Sequence, residues 1–180
     1  MGIFVKGSVL GVAAMKEPSS IAPVRYMERT RLYYRALGYE QDYVWAKFDE
    51  VPFTRLTKPL SKVTLALLTT IVPPDLADRN REGLGGRVTW ARDVETLPAR
   101  MVTDHLAWDN ESTHTRDRDS YLPIDTVRRH IADGLIGGLA RRVYGVPTIY
   151  SQRKTLEQNA PEVFGLIKKD GADAVLLPAL

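Results

Sequence analysis

Cysteine is absent from all 180 residues. Its absence excludes a disulfide framework, a zinc–thiolate centre and a thiol nucleophile within the chain. Long apolar runs are absent too, so no segment reads as a membrane span. The nearest approach to an export signal is Val9–Met15, which Gly11 interrupts, with Lys6 before it and Lys16-Glu17-Pro18 after it. That reads as a loose leader, or as a start codon placed too far upstream, and the expected location is cytoplasmic. Neither sign of charge dominates: 25 Lys and Arg face 22 Asp and Glu, a net charge of +3. The two signs interleave, as in Arg116-Asp117-Arg118-Asp119, whereas a nucleic-acid binder gathers its basic residues into a stripe. No nucleic-acid partner is expected. Gly83-Leu84-Gly85-Gly86 lacks the Gly-Lys-Ser/Thr ending of a phosphate loop. Gly137-Gly138 lacks the dinucleotide fingerprint, and no Ser lies in a Gly-x-Ser-x-Gly elbow.

The length suits one domain with its own core. Residues 1–22 have no sustained period and read as a poorly ordered tail, with the domain running over 23–180. Tyr26, Arg29, Tyr33 and Leu37 mark a helix that Gly38 stops. Val63-Thr64-Leu65-Ala66-Leu67-Leu68-Thr69-Thr70 is nearly continuous in apolar residues and predicts a strand buried on both faces. Pro73-Pro74 opens a polar, Gly-rich stretch that reads as a long loop through Gly86. Met101–Trp108 reads as a second strand. Pro123–Asp133 predicts a helix whose buried stripe is Ile124, Val127 and Ile131, ended by Gly134. Leu135–Gly145 reads as a strand or strand-like turn. Thr155–Lys169 predicts a helix capped by Thr155, packed through Leu156, Phe164 and Ile167, with a kink or a restart at Pro161. Asp173–Leu180 predicts another buried strand. Strands alternating with helices give the α/β class: an open, mainly parallel sheet with flanking helices. Its ligand site is expected outside the carboxyl ends of the strands. The sheet is expected to be incomplete at the C-terminus, since the last strand has no helix after it to cover the sheet.

The polar chemistry gathers between Asp109 and Ser120. His105, Asp109, Glu111 and His114 share one stretch and could serve a metal or acid–base site, but their spacing matches no metal motif, and a solvated loop with one His on a strand is the favoured reading. No metal is expected. Thr113-His114-Thr115 followed by Arg116–Asp119 reads either as a substrate-binding loop or as a charged connector. His130, near the end of its helix, suits a capping role.

Several segments in order resemble the selenoprotein B family of the glycine/sarcosine/betaine and D-proline reductases. They are Tyr26-Met27-Glu28-Arg29-Thr30-Arg31 with Tyr33-Tyr34 and Leu37-Gly38-Tyr39, then Val51-Pro52-Phe53-Thr54 with Lys58-Pro59-Leu60-Ser61 and Ala66–Thr70. Ser112-Thr113-His114-Thr115, Leu122-Pro123-Ile124-Asp125 and Asp170-Gly171-Ala172-Asp173-Ala174-Val175-Leu176-Leu177 complete the set. The resemblance implies a redox motif just after the strand matching Asp173–Leu177: a selenocysteine or cysteine, two residues, then a cysteine. It implies reductive C–N cleavage of a small amine or amino acid, with a dithiol donor and a partner subunit bearing a pyruvoyl group. This chain departs from the family at that point, since it ends at Leu180 and carries no cysteine. The expectation is a chain read only as far as a selenocysteine codon, with no resident cofactor and no nucleophile of its own. Thr113, His114 and Thr115 are then expected to orient substrate, with Asp109 or Glu111 tuning them. The competing reading is a non-catalytic α/β protein that binds a ligand or a subunit. An oligomer fits either.

Overall fold

The computed structural model describes residues 25–42, 44, 46–52, 54–81, 88–103, 113–149 and 151–178. The 1–22 tail, the Gly83–Gly86 loop and most of the Met101–Trp108 strand expected above lie outside those residues. Two compact units divide the chain, Met1–Lys47 and Phe48–Leu180.

In the first unit the expected helix is α1 (Tyr26–Ala36). Gly38 ends it with φ 86°, a backbone state that a residue without Cβ adopts freely. Just beyond, Arg35 grips Asp42 at two points, 2.8 and 2.6 Å, and Tyr34 packs edge-on against both Tyr33 and Tyr39.

The second unit is built on β1 (Thr64–Thr69). Its alternate residues feed two cores. Leu65 and Leu67 join one face, and Ala66 and Leu68 join the other. This is why the run is apolar throughout rather than alternating. Along one side of β1 lie β3 (Gly138–Leu139) and β4 (Arg142–Gly145), both parallel to it. The register slips by two residues between them, from Leu65 opposite Leu139 to Leu68 opposite Tyr144, so Ala140-Arg141 is a bulge in what is nearly one strand. On the other side of β1 lies β5 (Ala174–Leu176), also parallel. Beyond β4, β2 (Trp90–Asp93) runs antiparallel. The sheet is therefore open and mainly parallel, as expected.

Helices cover both faces. On one, α3 (Ile124–Ala132) buries Ile124 and Val127 against Leu65, Leu67, Trp90 and Val143. On the other, α5 (Ala160–Lys169) buries Val163 and Ile167 against Ala66, Leu68 and Tyr144. The second helix is entered through α4 (Gln152–Lys154) and a wide π-type turn, Thr155–Asn159.

Four local expectations are corrected. The polar stretch after Pro73 opens as a helix, α2 (Pro74–Arg81), because proline fits the first helical position and Asp75 suits its positive end. Ser151, not Thr155, caps the segment, its Oγ accepting from Lys154 N at 3.3 Å. The widened turn falls before Pro161, which takes an early position in α5 where no N–H is needed, and Val163 replaces Leu156 and Phe164 in the core, both of which are exposed. The last strand is not buried: Val175 and Leu176, which point to opposite faces, are 46% and 41% exposed. The short β2 was not anticipated at all, since Trp-Ala-Arg-Asp shows no alternation.

Candidate site at the carboxyl end of the sheet

The carboxyl ends of β1 and β4 meet in one register row. Thr69 lies opposite Gly145, and Gly145 lies opposite Trp90. Register partners face the same side of a sheet, so the Thr69 hydroxyl, the bare Cα of Gly145 and the Trp90 indole form a line across its end. All three are buried. Gly145 is required there, since a methyl in its place would fall 2.0 Å from Trp90 Nε1. The indole thus occupies the space that a side chain would fill.

Tyr121 ties this row to the polar loop. Its carbonyl accepts a hydrogen bond from Thr69 Oγ1 at 3.3 Å. Its phenol accepts from Met101 N at 3.4 Å and donates to the Thr115 carbonyl at 3.1 Å. Burial pushes the Tyr121 phenol above its ordinary pKa, so it stays protonated and remains a donor. The next turn is fixed by Asp119, whose carboxylate accepts from Asp125 N at 2.8 Å, Thr126 N at 3.0 Å and the Thr126 hydroxyl, capping α3. Burial raises its pKa, but those hydrogen bonds outweigh it and hold the carboxyl below the usual range.

The expected site residues fall into three groups. Thr115 is buried, with its carbonyl held by Tyr121. Thr113 and His114 are exposed just before it. Asp109 and Glu111 lie outside the described residues. Among the described residues, no three His, Asp or Glu side chains gather closely enough to hold a metal ion. His130 is exposed at the end of α3, in the last turn as expected.

Sequence reasoning missed Thr69, Tyr121, Gly145 and Trp90. Two had a signal: Thr69 is a hydroxyl closing an apolar strand, and Gly145 is a glycine in a strand, which marks a close approach. Tyr121 and Trp90 had none, because register and loop path bring them in.

A second polar cluster stiffens the opposite face. Arg142 meets Asp170 at 2.6 and 3.0 Å, and the Tyr144 phenol donates to the same carboxylate. Burial, together with the negative Asp170, drives the Tyr144 pKa far upward, while Arg142 holds Asp170 below the usual carboxylate range. Near this end of the sheet, Asn159 Nδ2 reaches Thr89 Oγ1 at 3.5 Å. Among the described residues, two buried polar side-chain atoms have no hydrogen-bond partner: Asn159 Oδ1 and Trp90 Nε1. No helix among the described residues is long and apolar enough to cross a membrane.

Residues 31–179 match the family model described as glycine/sarcosine/betaine reductase selenoprotein B. The chain is 30% identical over 135 residues to the glycine reductase complex component B subunit gamma of Carboxydothermus hydrogenoformans, covering 72% of this chain and 31% of that one. It is 31% identical over 133 residues to the D-proline reductase subunit gamma of Acetoanaerobium sticklandii, covering 71% of this chain and 52% of that one. It is also 28% identical over 138 residues to the betaine reductase complex component B subunit beta of Peptoclostridium acidaminophilum, covering 73% and 31%. The aligned region thus spans between about a third and about half of these relatives. No solved structure matches.

Proposed function

The chain belongs to the glycine/sarcosine/betaine reductase selenoprotein B family, and from that premise we propose that it is the substrate-positioning part of a reductase component B subunit. The observation that carries the proposal is the family match over residues 31–179, which takes in the whole sheet and the Thr113–Thr115 loop. The proposed substrate is a small amine or amino acid, as the names of the glycine, D-proline and betaine reductase relatives suggest. Thr113, His114 and Thr115 orient it beside the carboxyl ends of β1 and β4. Asp109 and Glu111 act with them by tuning their hydrogen bonding.

The proposed reaction is reductive cleavage of a C–N bond. The substrate takes up two electrons and two protons, the carbon gains a hydrogen, and the nitrogen leaves as ammonium or amine or, in a ring substrate such as proline, stays attached as the amine of the opened chain. A dithiol, or a selenol–thiol pair, supplies both and is oxidised to the bridged form. None of these 180 residues is a cysteine, so the attacking chalcogen belongs to polypeptide outside them, in keeping with the longer relatives. A partner subunit carrying a pyruvoyl group is the proposed holder of the substrate amine, and relatives named as complex components favour such partners. Action in the cytoplasm suits a reducing dithiol donor.

The test is C–N cleavage by the full-length gene product, co-produced with its neighbouring subunits and supplied with a dithiol, read as released ammonia or amine for the open-chain substrates and as the ring-opened amino acid for D-proline. Glycine, sarcosine, betaine and D-proline are offered in turn. Cleavage of at least one of them, dependent on the dithiol, is the expected result, and cleavage of none overturns the proposal.

A further inference from the structure

The Trp90 indole is a buried donor with nothing to donate to. The side chain is 5% exposed, and Nε1 itself has neither a protein partner nor contact with solvent. Its position follows from the register. Trp90 lies on one side of Gly145 and Thr69 on the other, and Nε1 falls 2.0 Å from where a Gly145 methyl would be. The pyrrole edge of the ring therefore lies over Gly145, in the register row that Thr69 closes. The Thr69 oxygen gives its hydrogen to the Tyr121 carbonyl and accepts from Ile71 N at 3.4 Å, so it offers Trp90 no better than a shared lone pair. A buried N–H left in this way costs about 1–3 kcal/mol, and native chains seldom leave one without a reason. This one lies at the carboxyl end of a parallel sheet, where α/β folds take their ligands.

We propose that Trp90 Nε1–H, presented over Gly145, is the donor that receives a carboxylate oxygen of the substrate. The inference rests on the reductase reading above and deepens it. An indole N–H donates and cannot accept, so it selects an acceptor and is indifferent to an ammonium group. Glycine, betaine and proline differ in their nitrogen, which is a primary ammonium, a quaternary ammonium or a secondary ring ammonium. They share the carboxylate, which is also their only acceptor. A donor at this point therefore fixes the common end and leaves the nitrogen free to vary, which suits a family whose relatives are named for all three. The indole is neutral and its Nε1 is out of contact with solvent, so the carboxylate gives up hydration there for a single neutral hydrogen bond and binding is expected to be weak, on the order of millimolar.

Nuclear magnetic resonance of the 15N-labelled chain tests this directly. Trp45, Trp90 and Trp108 are its three tryptophans. The Trp90 indole resonance is the one lost in Trp90→Phe, which keeps an aromatic ring and removes the N–H. Should that variant fail to fold, Trp45→Phe and Trp108→Phe assign it by elimination. The ligands are acetate, glycine, betaine, D-proline and methylammonium. The expected result is a saturable downfield shift of the Trp90 indole proton with every carboxylate and none with methylammonium, with acetate binding about tenfold weaker in Trp90→Phe. Amino acids that bind by calorimetry without moving this resonance overturn the Trp90 assignment and leave the reductase reading standing. A response to acetate but to no amino acid keeps the carboxylate subsite and removes the substrate reading. No response to any carboxylate overturns the inference, while C–N cleavage by the full-length protein still judges the reductase reading by itself.

Discussion

Arg142 on β4 and Asp170 at the end of α5 face each other fork to fork, with guanidinium nitrogens 2.6 and 3.0 Å from the two carboxylate oxygens. The Tyr144 phenol adds a third hydrogen bond to the same carboxylate, so one acidic side chain ties the last helix to the middle of the sheet. Both partners are largely shielded, with 28% and 18% of their side-chain surfaces exposed.

Asp170→Asn removes the charge and half of that fork, and is expected to cost about 1.5–3 kcal/mol, the range for hydrogen bonds to charged groups. Arg142 holds the folded-state pKa of Asp170 below its ordinary value. The stabilisation is then fully present above the unfolded pKa and is lost as pH falls through the folded one. Urea unfolding of the wild-type chain should lose stability below about pH 4, and the Asn variant should show a shallower loss over that window. Equal pH slopes for the two proteins would contradict the assignment.

Gly145→Ala is expected to destabilise the chain by about 1–3 kcal/mol through overpacking, because the new methyl and Trp90 Nε1 cannot share 2.0 Å. The penalty should shrink when Trp90→Leu is made in the same chain. Additive costs in that double-mutant cycle would show that the two residues do not share the space.

Tyr121→Phe strips the phenol that joins Met101 N to the Thr115 carbonyl. Two buried backbone groups lose their partner, at about 1–3 kcal/mol. Hydrogen exchange at the Met101 amide should accelerate, while exchange in the α5 core, at Val163 and Ile167, should stay at its wild-type rate. Uniform acceleration everywhere would point to global loosening rather than to this link.

Asp119→Ala removes the acceptor for Asp125 N and Thr126 N at the start of α3. Loss of a side-chain cap costs about 1–2 kcal/mol, and thermal unfolding by circular dichroism should shift down accordingly. Asp119→Asn, which keeps one acceptor oxygen, should recover part of the difference.

The 180 residues by themselves are expected to bind substrate and not to reduce it. With dithiothreitol and glycine, betaine or D-proline, no disulfide should form above the ligand-free background in a thiol-titration assay. Substrate-dependent dithiol oxidation by this chain would refute the assignment of the nucleophile to residues outside it.

Local chemistry made much of this legible in the sequence. The apolar run at β1 could only be a strand covered on both faces. The glycines after α1, α3 and α5 stopped their helices, at φ 86°, 73° and 72°, and the ordered motifs pointed to the family. What failed was whatever depends on a distant neighbour. Leu156 and Phe164 have the right composition for a core, but the wide turn at Thr155–Asn159 carries the packing to Val163 and Ile167 instead. Val175 and Leu176 read as buried, yet the described residues leave both of them only partly covered. Thr113–Thr115 stood out as polar residues between two elements, but which of them turns inward was set by Tyr121.

By itself, the sequence determined the chemical limits and the class: no thiol, no metal-thiolate site, a parallel α/β core, and a family signature spread over most of the chain. The tertiary structure alone decided the site. A hydroxyl ending one strand, a glycine in a second and a tryptophan beginning a third became neighbours through hydrogen-bond register, and register depends on which strands pair and where a bulge shifts them. No spacing along the chain encodes that, because the residues of the row are separated by loops whose lengths carry no information about the alignment of the strands they join.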